Sequence, residues 1–243
     1  MRTAVLIVLA SSVLLADHRG LRSKDMGPVI KLFNGKDLSG FHTFLKTKGR
    51  DKDPDGVFRV EKGQVHVSGQ EYGYIITDKE YQNYYLHVEF RWGERTWPPR
   101  EGKARDSGVL FHVNGEDKVW PQSIEFQMIE GGTGDIIVVD GVSLTVKGET
   151  KNRGRFDRFG KGEWKDVAGY RDPAGEVERA HGKWNCLELY AEGDTVRYFV
   201  NGKLVNEGKG ASVTRGRILF QSEGAEVYFR KMELRELKPK ASS

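Results

Sequence analysis

Alternation of apolar and polar residues at every second position dominates the chain from residue 30 onward. In "NYYLHVEFRW" Tyr84, Leu86, Val88, Phe90 and Trp92 share one side, and Tyr85, His87, Glu89 and Arg91 the other. A strand sends successive side chains to opposite faces, so this is the signature of a half-buried strand. "SGVLFHVNG" repeats it, with Val109, Phe111 and Val113 on one face and Leu110 and His112 on the other. In "PQSIEFQMIEGG" Ile124, Phe126 and Met128 claim a core, so Glu125 and Gln127 must face away from it. Shorter strands are predicted in "DGVFRVEKGQVHVSG", "GYIITDKEY" and "DIIVVDGVSLTV". The run "IIVV" could be strand or buried helix, and its length and β-branching favour strand.

The last third reads as hairpins. Gly193-Asp194 marks one turn and Asn201-Gly202 the next, the latter a strong hairpin signal. "RGRILFQSEGAEVYFRKMELREL" supplies two more strands. No segment after the N-terminal region has the pattern of a long helix, and no internal repeat suggests a propeller. Many short, closely spaced strands predict an all-β, antiparallel two-sheet sandwich or barrel. Its core is expected to contain Val88, Phe90, Trp92, Val109, Phe111, Ile124, Phe126, Val200 and Phe220. Residues 147–182 depart from the pattern: they are rich in glycine and charge and have no period. Phe156, Phe159, Trp164 and Tyr170 within them argue against pure disorder, and the segment is expected to run over one rim of the sheet.

Composition adds a little. The chain has 243 residues, 37% hydrophobic and 30% charged, long enough to bury a substantial core. Thirty glycines against seven prolines suit many tight turns. The net charge is only +4 and the basic residues are scattered beside acids, with no stripe suited to nucleic acid. Arg2 followed by an apolar run at residues 4–16 fits a secretory signal peptide and is too short for a confident membrane span. The expected organisation is a signal peptide at 1–16, a linker at 17–29, one domain at 30–237 and a tail at 238–243. The mature protein would be periplasmic or extracellular, without a membrane span. Cys186 is the sole cysteine, so no internal disulfide can form.

The polar faces carry the candidate chemistry. His87, Glu89 and Arg91, then His112, then Glu125 and Gln127, then Gln221 and Glu223 each stand opposite an apolar face. A solvated face usually carries Lys and Thr; these use amides, imidazoles and short acids, which suit sugar hydroxyls. Glu89, Gln127 and Gln221 are therefore candidate substrate ligands. Trp120 and Trp164, with Trp97, are available at loop positions to stack on the C–H faces of a sugar. "EFQMIE" is close to the Glu-x-Asp-x-x-Glu of laminarinase-type glycosidases, but Gln127 stands at the Asp position. No nucleophile elbow, phosphate loop or zinc spacing is present. His112 and the acids could hold one divalent metal, which the sequence neither requires nor identifies.

In order, "LFNGKDLSGF", "YIITDKEYQNYYLHVEFRW", "DSGVLFHV", "SIEFQMIEGGTGDI", "GKWNCLELYAEGDTVRYFVNGKLV" and "GRILFQSEGAEVYFRKMELREL" resemble the 3-keto-disaccharide hydrolase domain family, also described as 3-keto-glucoside 1,2-lyases and 3-keto-2-hydroxyglucal hydratases. The resemblance implies a concanavalin A-like jelly-roll sandwich, export, and a carbohydrate cleft. The family's Asn-Ser-Gly, Glu-x-Gln, Trp-Asn and Gln-Ser-Glu-Gly map onto Asp106-Ser107-Gly108, Glu125 and Gln127, Trp184-Asn185, and Gln221 to Gly224. The implied chemistry is removal of the C2 proton of a 3-keto-glycoside, elimination of the C1 substituent, and hydration. Glu125 is the expected base with His112 its competitor, Glu223 the acid, and Arg91 or a bound metal the electrophile. Gln127 and Gln221 would orient hydroxyls. Two other classes compete: a noncatalytic carbohydrate-binding module, and a retaining glycosidase acting on unoxidised glycosides. The oligomeric state is open.

Overall fold

The computed structural model describes residues 25–238. The apolar run read as a signal peptide lies outside the described residues, as do most of the linker and the tail. The first strands are β1 (Ile30–Lys31), β2 (Phe41–Leu45), β3 (Gly49–Arg50), β4 (Phe58–Glu61), β5 (Gln64–Val67) and β6 (Gly73–Thr77). Next come β7 (Tyr84–Thr96), β8 (Asp106–Asn114), β9 (Gln122–Ile129), β10 (Ile136–Val139), β11 (Leu144–Val146), β12 (Glu149–Lys151) and β13 (Gly154–Phe156). The chain finishes with β14 (Asn185–Glu192), β15 (Thr195–Val200), β16 (Lys203–Gly208), β17 (Arg217–Ser222) and β18 (Ala225–Glu236). There is no α-helix among the described residues, and so none long and apolar enough to cross a membrane.

Two antiparallel sheets form the expected jelly-roll sandwich. The first runs β16-β15-β14-β7-β18-β5-β4, with β1 also paired to β18, and the second runs β13-β10-β9-β8-β17-β6-β2-β3. Strands distant in sequence are neighbours, as in β8-β17-β6, which is how a sandwich draws each sheet from several parts of the chain. The nine residues expected in the core all belong to one buried cluster between the sheets. Within it Phe126 of β9 stacks on Tyr198 of β15, with ring centroids 4.0 Å apart and planes 9° from parallel.

One strand departs from simple alternation. On β8 Phe111 pairs with Ile124 but Asn114 pairs with Gln122, so three steps on β8 oppose two on β9. His112 occupies the bulge with φ of 51°. An extra residue reverses the faces beyond it. His112 therefore turns inward, against the rings of Tyr84 and Phe111, with Nδ1 3.2 Å from the carbonyl of Val213. Val113, which unbroken alternation puts on one face with Val109 and Phe111, instead joins Leu110, Leu219, Ile76 and Tyr74 in a smaller apolar cluster on the outer face of the second sheet.

The 147–182 segment is built into the molecule. Its first part makes β12 and β13. Its later part is tied to the end of β9: buried Arg158 donates from Nη2 to Asp172 at 2.5 Å and to the Gly131 carbonyl at 3.3 Å. Glu178 is buried too, accepting from Trp92 Nε1 at 3.1 Å and from the Thr133 hydroxyl.

Truncating Phe126 removes a fully buried ring and its stacking partner from the centre of the sandwich. Phe126→Ala is expected to lower unfolding free energy by about 3–5 kcal/mol, measured by urea denaturation. A loss below about 1 kcal/mol would contradict the packing described.

Candidate functional site

The register of the second sheet sets side chains of its outer face in rows. Arg155 opposes Ile137, Ile137 opposes Glu125, and Glu125 opposes Leu110. Two residues along, Gln127 opposes Gly108. On the other side of β8, Val109 opposes Phe220, which aligns Gly108 with Gln221. Glycine at 108 is what lets the row close: a methyl group there would overlap both Glu125 Oε1 and Gln221 Oε1. Those two oxygens are buried and without a hydrogen-bond partner. They share one small space, which wants a donor.

Around this row lies a cavity of about 700 Å³. Asp106, Glu125, Gln127 and Glu223 contribute its acidic floor, and Trp120, Asn152, Arg153 and Arg155 contribute its walls. Gln127 Nε2 donates to Asp106 Oδ1 at 2.6 Å. Arg100 Nη1 stands 4.0 Å from Asp106 Oδ2, and Arg155 Nη1 is bound to Asp135 at 3.1 Å.

Crowding three carboxyls in a sheltered place makes each hold its proton. Burial drives Asp106 up to about 7, despite the opposing pull of Arg100, Arg155 and the Gln127 hydrogen bond. Burial, then the charge of Asp106, carries Glu125 to about 8, against Arg155. Burial, then Asp106 and Glu125, lift Glu223 well above the ordinary carboxylate range. The three titrate as a group, so a proton taken by one is felt by the others. Tuned carboxyls of this kind serve as acid and base near neutral pH.

Glu125, Gln127, Glu223 and Trp120 line the cavity as the sequence suggested, and Gln221 abuts Glu125 at Gly108. Four other expected residues lie elsewhere. His112 is inside the sandwich because of the bulge, where burial depresses it to about 4. Arg91 and Glu89 point outward from β7, which belongs to the first sheet, so they are on the opposite outer face of the sandwich. There Arg91 packs over Tyr228 at 4.0 Å and Trp184 at 5.3 Å. Glu89 accepts from Arg230 Nε and Lys231 Nζ, each at 2.6 Å. Trp164 donates from Nε1 to the Glu130 carbonyl at 2.9 Å and does not line the cavity. Glu130, the last acid of "EFQMIE", is taken up by Arg105 at 2.9 Å, also away from the cavity.

Sequence reasoning placed Asp106 in the Asp106-Ser107-Gly108 motif without giving it a role at the site, and it missed Arg100 and Arg155. Asp106 had a signal, since it stands two residues before Gly108 and shares its face. Arg155 had none, lying in the aperiodic segment. Among the described residues, no group of three or more His, Cys, Asp or Glu side chains is arranged to hold a metal ion.

Comparison with known proteins extends this picture. A candidate glycosyl hydrolase of Parabacteroides distasonis ATCC 8503 is 21% identical, with 86% of this chain and 94% of that one covered and a TM-score of 0.58. A second from the same organism is 18% identical, covering 87% of this chain and 100% of its own, at a TM-score of 0.55. The β-glucanase of Bacillus licheniformis is 10% identical, covering 88% and 99%, at a TM-score of 0.50. At these identities the likeness is one of fold. No curated protein matches the chain in sequence. The family model of the 3-keto-alpha-glucoside-1,2-lyase-like domain matches residues 28–235, nearly the whole of both sheets, and the chain belongs to that family.

Proposed function

We propose that this carbohydrate-active domain cleaves glycosides already oxidised at C3, by elimination followed by hydration. The observation that carries the proposal is Glu125: a buried carboxyl with an unpartnered oxygen, at the floor of a cavity, poised to ionise near neutral pH. A ketone at C3 acidifies the hydrogen at C2. Glu125 takes that proton, and the electron pair passes to the C3 oxygen as an enolate. The pair returns to form the C1–C2 double bond as the C1–O bond breaks, and the leaving oxygen is protonated by a neutral acid. Glu223, lifted well above the ordinary carboxylate range by burial and by Asp106 and Glu125, suits that role. Water then adds at C1 and a proton returns to C2, which completes a net hydrolysis. Arg155 and Arg100 are the cations next to the acids, and they replace Arg91 as the candidate stabilisers of the enolate. Gln127 and Gln221 remain candidate ligands for hydroxyl groups.

Retaining hydrolysis in the laminarinase manner needs the acids of Glu-x-Asp-x-x-Glu together on one face. Here the position corresponding to the laminarinase aspartate is Gln127, and Glu130 is engaged by Arg105. Both features favour the elimination route.

Glu125→Gln keeps the shape of the site and removes the base. Turnover of methyl 3-keto-glucoside is expected to fall at least about 100-fold while the variant stays folded. Wild-type kcat/KM should rise with pH through about 8, as Glu125 loses its proton. Full activity in the variant would exclude Glu125 as the base.

The same carboxyl makes stability depend on pH. Its folded value near 8 lies above its unfolded value near 4.5, so between these the folded chain holds more protons than the unfolded one. Stability then declines as pH rises across that window. Glu125→Gln should therefore be more stable than wild type at pH 8.5, with the gain shrinking toward pH 4.5, as read by thermal melts across pH.

We place the activity outside the cytoplasm because Arg2 and the apolar run at 4–16 have the form of a signal peptide. Expression of the full chain in a Gram-negative host, followed by fractionation and N-terminal sequencing, should find a shortened protein in the periplasm. Full-length protein retained in the cytoplasm would overturn this.

A further inference from the structure

The loop between β8 and β9 does not leave the sheet. It folds back against the outer face of the second sheet, where Tyr74 of the small apolar cluster meets it. Asp117, partly buried near its middle, holds it there. The Tyr74 hydroxyl donates to Asp117 Oδ1 at 3.0 Å, and Arg50 Nη1 reaches Oδ2 at 3.3 Å. His42 Nε2 stands 3.5 Å and Arg217 Nη1 3.8 Å from Oδ1. These partners come from four strands, β6, β3, β2 and β17. Burial by itself would raise the Asp117 carboxyl, but Tyr74, His42 and Arg217 bring it below its ordinary value, so it is a carboxylate throughout the neutral range. Two further ties flank it. Arg217 Nη2 donates to the Gly115 carbonyl at 3.1 Å, and Lys118 Nζ to Asp140 at 2.7 Å.

A loop tied down this firmly nevertheless ends on an exposed indole. Trp120 is 47% exposed, one of three large hydrophobic side chains so placed among the described residues. It lines the mouth of the acidic cavity. Its ring stands 6.1 Å from that of Tyr72, the two planes 52° apart. Tyr72 in turn is close enough to Glu223 and Asp106 to feel their charges. A half-exposed indole at the rim of a polar cavity, with the Tyr72 ring beside it, forms a surface for a flat, weakly polar group.

We propose that Trp120 and Tyr72 form the subsite for the leaving group of the glycoside. Tyr72 adjoins Glu223, the acid assigned to the leaving oxygen, so a ring in the aglycone falls on this side of the cavity and lies against Trp120. Asp117 is a positioning residue: it touches no ligand and fixes the loop that presents the indole. This reading rests on the cavity being the sugar site, and it adds which side of the cavity takes which half of the substrate.

The test compares p-nitrophenyl 3-keto-glucoside with methyl 3-keto-glucoside. They share the sugar and differ only in the ring of the aglycone. Their Kd values are measured by calorimetry on the full chain carrying Glu125→Gln, so that neither is consumed. The ring-bearing probe should bind about three- to tenfold more tightly. Adding Trp120→Ala should bring the ratio of the two affinities close to one, and Trp120→Phe should keep most of it. Asp117→Asn, otherwise wild type, should raise KM for the ring-bearing probe more than for the methyl one. A purely structural role for Asp117 would weaken both alike. Equal binding of the two probes, no binding of either, or a ratio that survives Trp120→Ala would overturn the subsite. Wild-type turnover of methyl 3-keto-glucoside, scored separately, tells failure of the subsite from failure of the proposed chemistry.

Discussion

Everything at the cavity depends on β9 lying in one register between two demands. Its inward face must fill the sandwich, and the Phe126–Tyr198 stack fixes how it does so. The Tyr198 hydroxyl also donates to the backbone carbonyl of Glu125 at 3.1 Å. The first sheet thus grips the strand from behind at the residue whose side chain emerges in front. A slip of one residue would send Glu125 and Gln127 into the core and Ile124 and Phe126 into the cavity. The cost of burying unpaired polar groups and exposing rings makes that alternative prohibitive.

The acids are then tuned by what stands beside them. Gly108 removes the side chain that would have separated Glu125 from Gln221. Arg100 and Arg155 come from loops and edge strands, so they temper the acids without pairing off with Glu125. A glutamate with a dedicated partner would lie low and stay ionised, as Glu89 illustrates on the opposite face. There burial is outweighed by Lys231 and Arg230, and the carboxyl is lowered. The same residue type on the same kind of strand is made into a salt-bridge anion in one place and a proton carrier in the other.

Much of this was legible from alternation. The polar face of "SIEFQMIE", the core residues and the hairpin turns follow from a period of two, and Glu125, Gln127, Gln221 and Glu223 came with them. What alternation cannot carry is which of two outer faces a strand presents. Arg91 and Glu89 have the right pattern on the wrong sheet, and only the strand order separates them from Glu125. Nor does it show a bulge. His112 sits where a uniform strand would turn it outward, and one extra residue against β9 turns it into the core. Trp164 and Arg155 lie in a segment without a period, so no rule of spacing could tell the tryptophan that props up Glu130 from the arginine that faces the acids.

That segment has its own consequence for how the molecule comes apart. Arg158 and Asp172 are a buried pair, with the carboxylate also held by the Gly162 and Ala174 amides and the guanidinium by the Gly131 carbonyl, and separating them would strand a charge in the interior. A surface loop of this length would normally open and close on its own, long before the domain unfolds. Here each opening would expose that charge and uncover the end of β9, so the segment is bound into the cooperative unit of the sheet. The amides around Arg158, Asp172 and Glu178 therefore belong with the slower-exchanging part of the domain, while exposed stretches between them, such as Gly160 and Gly169, stay at the surface.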